Sequence, residues 1–215
     1  MGRNHALIAG TAAAAIAGAC GIHRPDEMAL LAAVAAGGGL LPDLDHPSAS
    51  PGRAFLFAGQ TLAAATGGVA GGHRKATHSC LATVLVGLAS WGVWHDQQVA
   101  AIVIGVIVTM AIWTVLPPTV GTRFARHMLA WGGGAAAGWW WMSHPLPLAV
   151  MVAAVAGGYL IHLLCDTLTV GGVRWLWPLP VRTSVPVCGC TGSTREHLLS
   201  AAVSVGAVVL VVMGH

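Results

Sequence analysis

The sequence predicts an all-α, polytopic bundle of membrane helices forming one domain over residues 1–215. Two observations carry this. Of the 215 residues, 56% are hydrophobic and only 8% charged, against about 25% charged in a typical soluble domain, and the mean hydropathy is +0.75. The apolar residues also fall in runs near membrane-spanning length, separated by short polar turns. So few charges cannot cover a water-facing surface of this size, which excludes a soluble enzyme. The bilayer is the expected partner, and no nucleic acid is expected.

Taken in order, the first run is Ala6 to Gly21, Ala-rich and read as retained rather than cleaved. A polar turn at Ile22 to Glu27 precedes the run Met28 to Leu41, which ends in Gly37-Gly38-Gly39 and then Leu41-Pro42-Asp43-Leu44-Asp45-His46-Pro47. Ala54 to Gly72 is apolar but interrupted by Gln60, Thr61 and Thr66, so it could span, lie in the interface or re-enter; a crossing would put the two richest motifs on opposite faces, which favours a re-entrant or interfacial segment. It leads into His73-Arg74-Lys75-Ala76-Thr77-His78-Ser79. Cys80 to Trp94, Val99 to Leu116, Met128 to Met142, Leu148 to Leu164 and His197 to Met213 complete the set. The expected count is about seven transmembrane helices plus the re-entrant or interfacial piece. Small residues dominate the helices, as close backbone packing in lipid requires.

With seven crossings the loops alternate sides. Arg3, Arg53, Arg74, Lys75, Arg123, Arg126, Arg174, Arg182 and Arg195 then share one side, and Arg24 alone falls on the other. The positive-inside rule makes the cation-rich side cytoplasmic. The N-terminus and every motif discussed below lie on that side of a cytoplasmic (inner) membrane; His215 falls on the far side.

Only seven Asp and Glu exist in the chain, against eleven His. Asp43, Asp45 and His46 sit within four residues at the end of an apolar run. This is a donor set for a metal ion or, alternatively, a helix stop made by its prolines. His73 and His78 bracket two cations, and Arg74 and Lys75 suit an anionic group such as phosphate. His162 and Asp166, four apart, share a helix face inside an apolar span. Ionisable groups there need a metal, a partner or water, and a His–Asp bond locking two helices is the other reading. His5 opens the first helix. Glu196 opens the last, as a ligand, a general base or a carboxylate favoured by the helix dipole. His5, Asp43, Asp45, His46, His73, His78, His162 and Asp166 make eight potential metal ligands on one face, more than one ion needs. Two or three Zn²⁺ ions fit such a mixed His and Asp set, with Mn²⁺ or Fe as alternatives. The five Cys read mostly as free thiols, since Cys188-Gly189-Cys190 is too tight for an unstrained disulfide, with metal binding at that Cys-Gly-Cys as the alternative.

Asn4-His5 with Gly10, LPDLDHP followed by Ser50 to Arg53, HRKATHS, and His162-x-x-x-Asp166-x-x-Thr169 together resemble the YdjM-type inner-membrane metal-dependent hydrolases. The resemblance covers almost the whole chain. Lys75 stands where that family usually has a small residue. The family is in turn distantly similar to zinc-dependent phospholipase C and P1-type nucleases. The resemblance to these implies a cluster of about three zincs held by His and Asp, with phosphoester cleavage. His162 and Asp166 match their His-x-x-x-Asp element; no counterpart of their His-x-x-x-Glu pair is found here.

The expectation is therefore a membrane-bound metal-dependent hydrolase. It would cleave a phosphoester in a lipid or other membrane-proximal substrate through a metal-activated water. Arg53, Arg74 and Lys75 would steady the substrate, and Glu196 is the candidate base. A divalent-metal transporter is the alternative, since His and Asp in spans also line cation pathways. A metal-binding membrane scaffold is the third reading.

Overall fold

In the computed structural model, residues 2–190 and 192–213 are described; His215 lies outside them. Among these residues the chain is all-helical apart from isolated bridges at Thr169–Gly189 and Val173–Thr183. The helices are α1 (Gly2–Ala19), α2 (Pro25–Gly38), α3 (Ser50–Ala54), α4 (Leu56–Val69), α5 (Cys80–Val93), α6 (Gln97–Val115), α7 (Arg123–Ser143), α8 (Leu148–Thr167) and α9 (Thr194–Met213), with a 3-10 turn at Pro42–Asp45. Side-chain caps start four of them, among the described residues; at α9 Ser193 Oγ accepts from Glu196 N. Ser79 accepts from Ala82 N, Asp96 from Gln98 N and Val99 N, and Thr122 from Ala125 N. Each satisfies amide donors that a helix start leaves open.

Among the described residues, three segments are long and apolar enough to cross a membrane: Pro25–Asp45, Gln97–Val115 and Leu148–Thr167. That is fewer than the seven crossings expected. α5 is apolar but has 14 residues, about 21 Å against a hydrocarbon core of about 30 Å. Arg3, Asn4 and His5 dilute α1, and the Gly run and Trp residues dilute α7. α5 and α9 turn Leu81, Val84, Leu85, Leu88, Leu198 and Val205 outward. Such continuous apolar surface is unfavourable in water and suited to lipid.

α2 sits centrally, against α1, α6 and α8. Glycines permit its close packing. A Cβ at Gly38 would lie 2.6 Å from the Val155 carbonyl oxygen of α8, and one at Gly158 of α8 would collide with the Ala35 carbonyl of α2. α7 meets α6 in the same way, through Gly134 and Gly138.

α4 packs along the segment that precedes it. Gly59 abuts Gly52, and a Cβ at Gly67 would fall 2.5 Å from the Asp45 carbonyl oxygen. Both ends therefore rest on the 45–52 segment. The segment after α8 folds back on the same end of the bundle: Cys80 N donates to Trp175 O, and Ser184 Oγ to Thr169 O. The start of α1, the end of α2, the start of α5, the end of α8 and the start of α9 thus meet in one layer.

Candidate metal centre

The Gly-rich end of α2 puts the Gly39 carbonyl beside α8. His162 Nδ1 lies 2.6 Å from it, and the ring is fully buried. A carbonyl only accepts, so Nδ1 carries the proton and Nε2 is left with its lone pair. His162 Nε2 has no hydrogen-bond partner, nor do His78 Nε2 and Asp166 Oδ2, and all three atoms are buried. They face one another. His162 Nε2 lies 3.7 Å from Asp166 Oδ2 and 3.7 Å from Asp43 Oδ1. His78 Nε2 lies 3.6 Å from Asp166 Oδ2 and 4.0 Å from Asp43 Oδ1.

Left unpaired, such atoms cost about 1–3 kcal/mol each, more when charged. A cation held by Asp43, His78 and His162 would satisfy both imidazole nitrogens. A tetrahedral Zn²⁺ with bonds of about 2.0–2.1 Å has ligand–ligand edges of about 3.3–3.4 Å. The four separations given above, 3.6–4.0 Å, exceed these edges by about 0.2–0.7 Å.

Around this set the protein supplies orienting bonds of the kind metal-bound imidazoles need. His78 Nδ1 lies 3.0 Å from Thr77 Oγ1 and 3.6 Å from Asp45 Oδ2. Asp45 accepts from Thr77 Oγ1 at 2.5 Å and from Arg74 N at 3.2 Å, and pairs with His73 Nδ1 at 2.7 Å. Burial pulls the His73 pKa down, but the Asp45 hydrogen bond and charge outweigh it, and the net shift is upward. His73 is thereby favoured as a charged donor to Asp45. His78 moves the other way: burial is the largest cause and Asp45 only partly offsets it, which keeps the ring neutral and able to ligate.

Of the eight expected ligands, seven fall into three overlapping groups that could hold an ion: His5, His162 and Asp166; Asp43, His78 and His162; and Asp45, His73 and His78. In the first, His5 Nε2 is 3.5 Å from Asp166 Oδ1, but Arg74 also reaches that oxygen, at 2.7 Å. His46 is not brought into any group; its Nδ1 lies 2.9 Å from Ser48 Oγ. Glu196 is also apart. Its two oxygens accept from Asn4 Nδ2, at 3.0 Å, and from Gly192 N, tying α9 to the residue before His5. Lys75 is half-buried on the same loop, and Arg53 is exposed on α3.

Several participants were not singled out in the sequence. Thr77 bridges Asp45 and His78, and Tyr159 Oη donates to the Thr77 carbonyl. Gly171 gives Arg74 its room, since a Cβ there would collide with the guanidinium. Thr77 sits inside HRKATHS and Asn4 beside His5, so adjacency was the available signal. Tyr159 and Gly171 had none.

A sequence model of the YdjM inner membrane protein family matches residues 1–214. The chain belongs to this family. The YdjM match places it among membrane proteins, in accord with its apolar helices and outward-facing leucines and valines. No curated protein and no solved structure matches the chain.

Proposed function

We propose that the protein is a membrane-bound metal-dependent hydrolase that cleaves a phosphoester at the cytoplasmic face of the membrane. The observation that carries the reading is the set Asp43 Oδ1, His78 Nε2, His162 Nε2 and Asp166 Oδ2, three of whose atoms are buried without a hydrogen-bond partner. Two imidazoles and two carboxylates suit Zn²⁺, and Mn²⁺ and Fe²⁺ accept the same donors. Held by three of these donors, an ion would keep a fourth position open, where it would polarise a phosphoryl oxygen and supply hydroxide at neutral pH. Asp45 orients His78 and, through Arg74 N, the loop that carries the cations. Arg74 holds Asp166 Oδ1 in place. It also occupies the position from which His5 and Asp166 would take a second ion. Lys75 and Arg53 lie on the same layer and suit the phosphate of a substrate.

The topology that goes with this reading has α1, α2 and α5 to α9 crossing and α3–α4 in the interface. The site-bearing layer then holds nine of the ten cations and is cytoplasmic by the positive-inside rule.

The test is metal content and hydrolysis of bis-(p-nitrophenyl) phosphate by purified wild type, His162→Ala and Asp166→Asn. The wild type is expected to retain a divalent ion and to turn over, and both variants to lose both. A wild type that takes up no Zn²⁺, Mn²⁺ or Fe²⁺ overturns the proposal.

A further inference from the structure

A cavity of about 550 Å³ opens between α4, α5 and α6. It exists because α5 packs mainly on α8 while α6 packs on α7 and α2, so the two helices stand apart. One end is walled by Leu41 and Leu44, which flank Asp43 in the chain; the other is closed by Val93 and Trp94 at the far end of α5. From Val86 to Trp94 it follows the helix for about 12 Å at 1.5 Å per residue. No ionisable residue lines it. At its upper rim Phe55 follows two residues after the exposed Arg53.

We propose that this groove holds an aliphatic chain of a phosphate-headed membrane lipid, with the headgroup delivered to Asp43 and His78. The inference rests on the hydrolase reading and names its substrate class. Three features select the occupant. An ion path would need polar groups along it, and these walls are apolar. A peptide strand would bury backbone amides with no partners, which a hydrocarbon chain does not have. The charge pattern also fits a lipid lying in its native orientation, with apolar walls at bilayer depth, Arg53 at the rim and the carboxylate–imidazole set just beyond Leu41 and Leu44. Every methylene seated there leaves one apolar environment for another. The groove therefore positions the substrate more than it binds it tightly.

The experiment is photolabelling in proteoliposomes with phosphatidylglycerol carrying a diazirine midway along one acyl chain, read by peptide mass spectrometry. Wild type is expected to carry label concentrated on Val86–Trp94 and Val103–Met110. Ala89→Trp fills the groove from an exposed lining position, so it should lose that label while keeping its metal content and its turnover of the chainless ester bis-(p-nitrophenyl) phosphate. Label spread evenly over the outward faces of α5, α7 and α9, or unchanged in Ala89→Trp, overturns the groove. Groove label in a wild type that cleaves neither ester removes the hydrolase reading and leaves the lipid site standing.

Discussion

Gly38→Ala is expected to disable the metal centre without touching any donor atom. The new Cβ would stand 2.6 Å from the Val155 carbonyl oxygen, where ordinary contact begins at 3.4 Å. Both partners are backbone-fixed, so α2 and α8 must separate by the difference, 3.4 − 2.6 = 0.8 Å. The bond between His162 Nδ1 and Gly39 O, now 2.6 Å, stretches to about 3.4 Å, beyond useful hydrogen-bond length. The 3.7 Å separation of His162 Nε2 from Asp43 Oδ1 grows in step, because these two donors sit on opposite sides of the α2–α8 seam. Overpacking of this kind costs about 1–3 kcal/mol. Losing the orienting bond of a ligating histidine weakens metal binding about 10–100-fold. At saturating metal that removes about 1.4–2.7 kcal/mol of metal-linked stability.

The assay is Zn²⁺ affinity by competition with a chelating dye, together with the shift in melting temperature on adding Zn²⁺. Gly157→Ala is the control, since a Cβ there meets nothing within 4 Å. Gly157→Ala should match wild type in both readouts. Gly38→Ala should keep its helical content and lose most of the Zn²⁺-induced shift. If Gly38→Ala binds Zn²⁺ as tightly as wild type, helix spacing does not set the donor geometry and the argument fails.

Three further outcomes follow from the same geometry. Asp45→Asn should weaken Zn²⁺ binding about 10–100-fold without abolishing it, while Asp166→Asn should abolish it; equal effects by calorimetry would contradict the division between orienting and ligating carboxylates. Arg74→Gln frees Asp166 Oδ1 beside His5 Nε2, so elemental analysis should find more metal per chain than in wild type, and an unchanged ratio counts against a second position there. Glu196→Gln turns an amide donor toward Asn4 or Gly192 N and should cost about 1–3 kcal/mol of stability with metal content intact; a loss of metal instead would return Glu196 to the site.

The helical class and most helix positions were legible because lipid imposes a simple pattern: apolar runs of set length, punctuated by polar turns. What was less legible was where each helix ends. The run read as Met28 to Leu41 extends through a 3-10 turn to Asp45, so its last turn lies beyond the apolar pattern. The α5 boundary is the exception: the run read as Cys80 to Trp94 is the helix Cys80–Val93, stopped by the turn before the Asp96 cap. Spans rich in Gly, Ala and Trp carry a weak hydropathy signal, since their residues serve helix contacts and interfaces rather than lipid.

The site was legible in its side chains and not in its backbone. Asp43, His78, His162 and Asp166 stand out as rare polar residues in an apolar chain, and their convergence follows once the helix ends share a layer. The role of each is decided by groups a sequence does not single out. His162 is a competent ligand because the Gly39 carbonyl, left open at the end of α2, accepts a hydrogen bond from its Nδ1–H and leaves Nε2 free to ligate. Asp45 is steered toward orienting rather than ligating because the loop folds Thr77, Arg74 N and His73 onto it. The Gly37-Gly38-Gly39 run reads in the sequence as a packing feature and LPDLDHP as a chemical one. In the structure they are one device: the glycines set the distance between α2 and α8, and that distance sets whether Asp43 and His162 can share an ion.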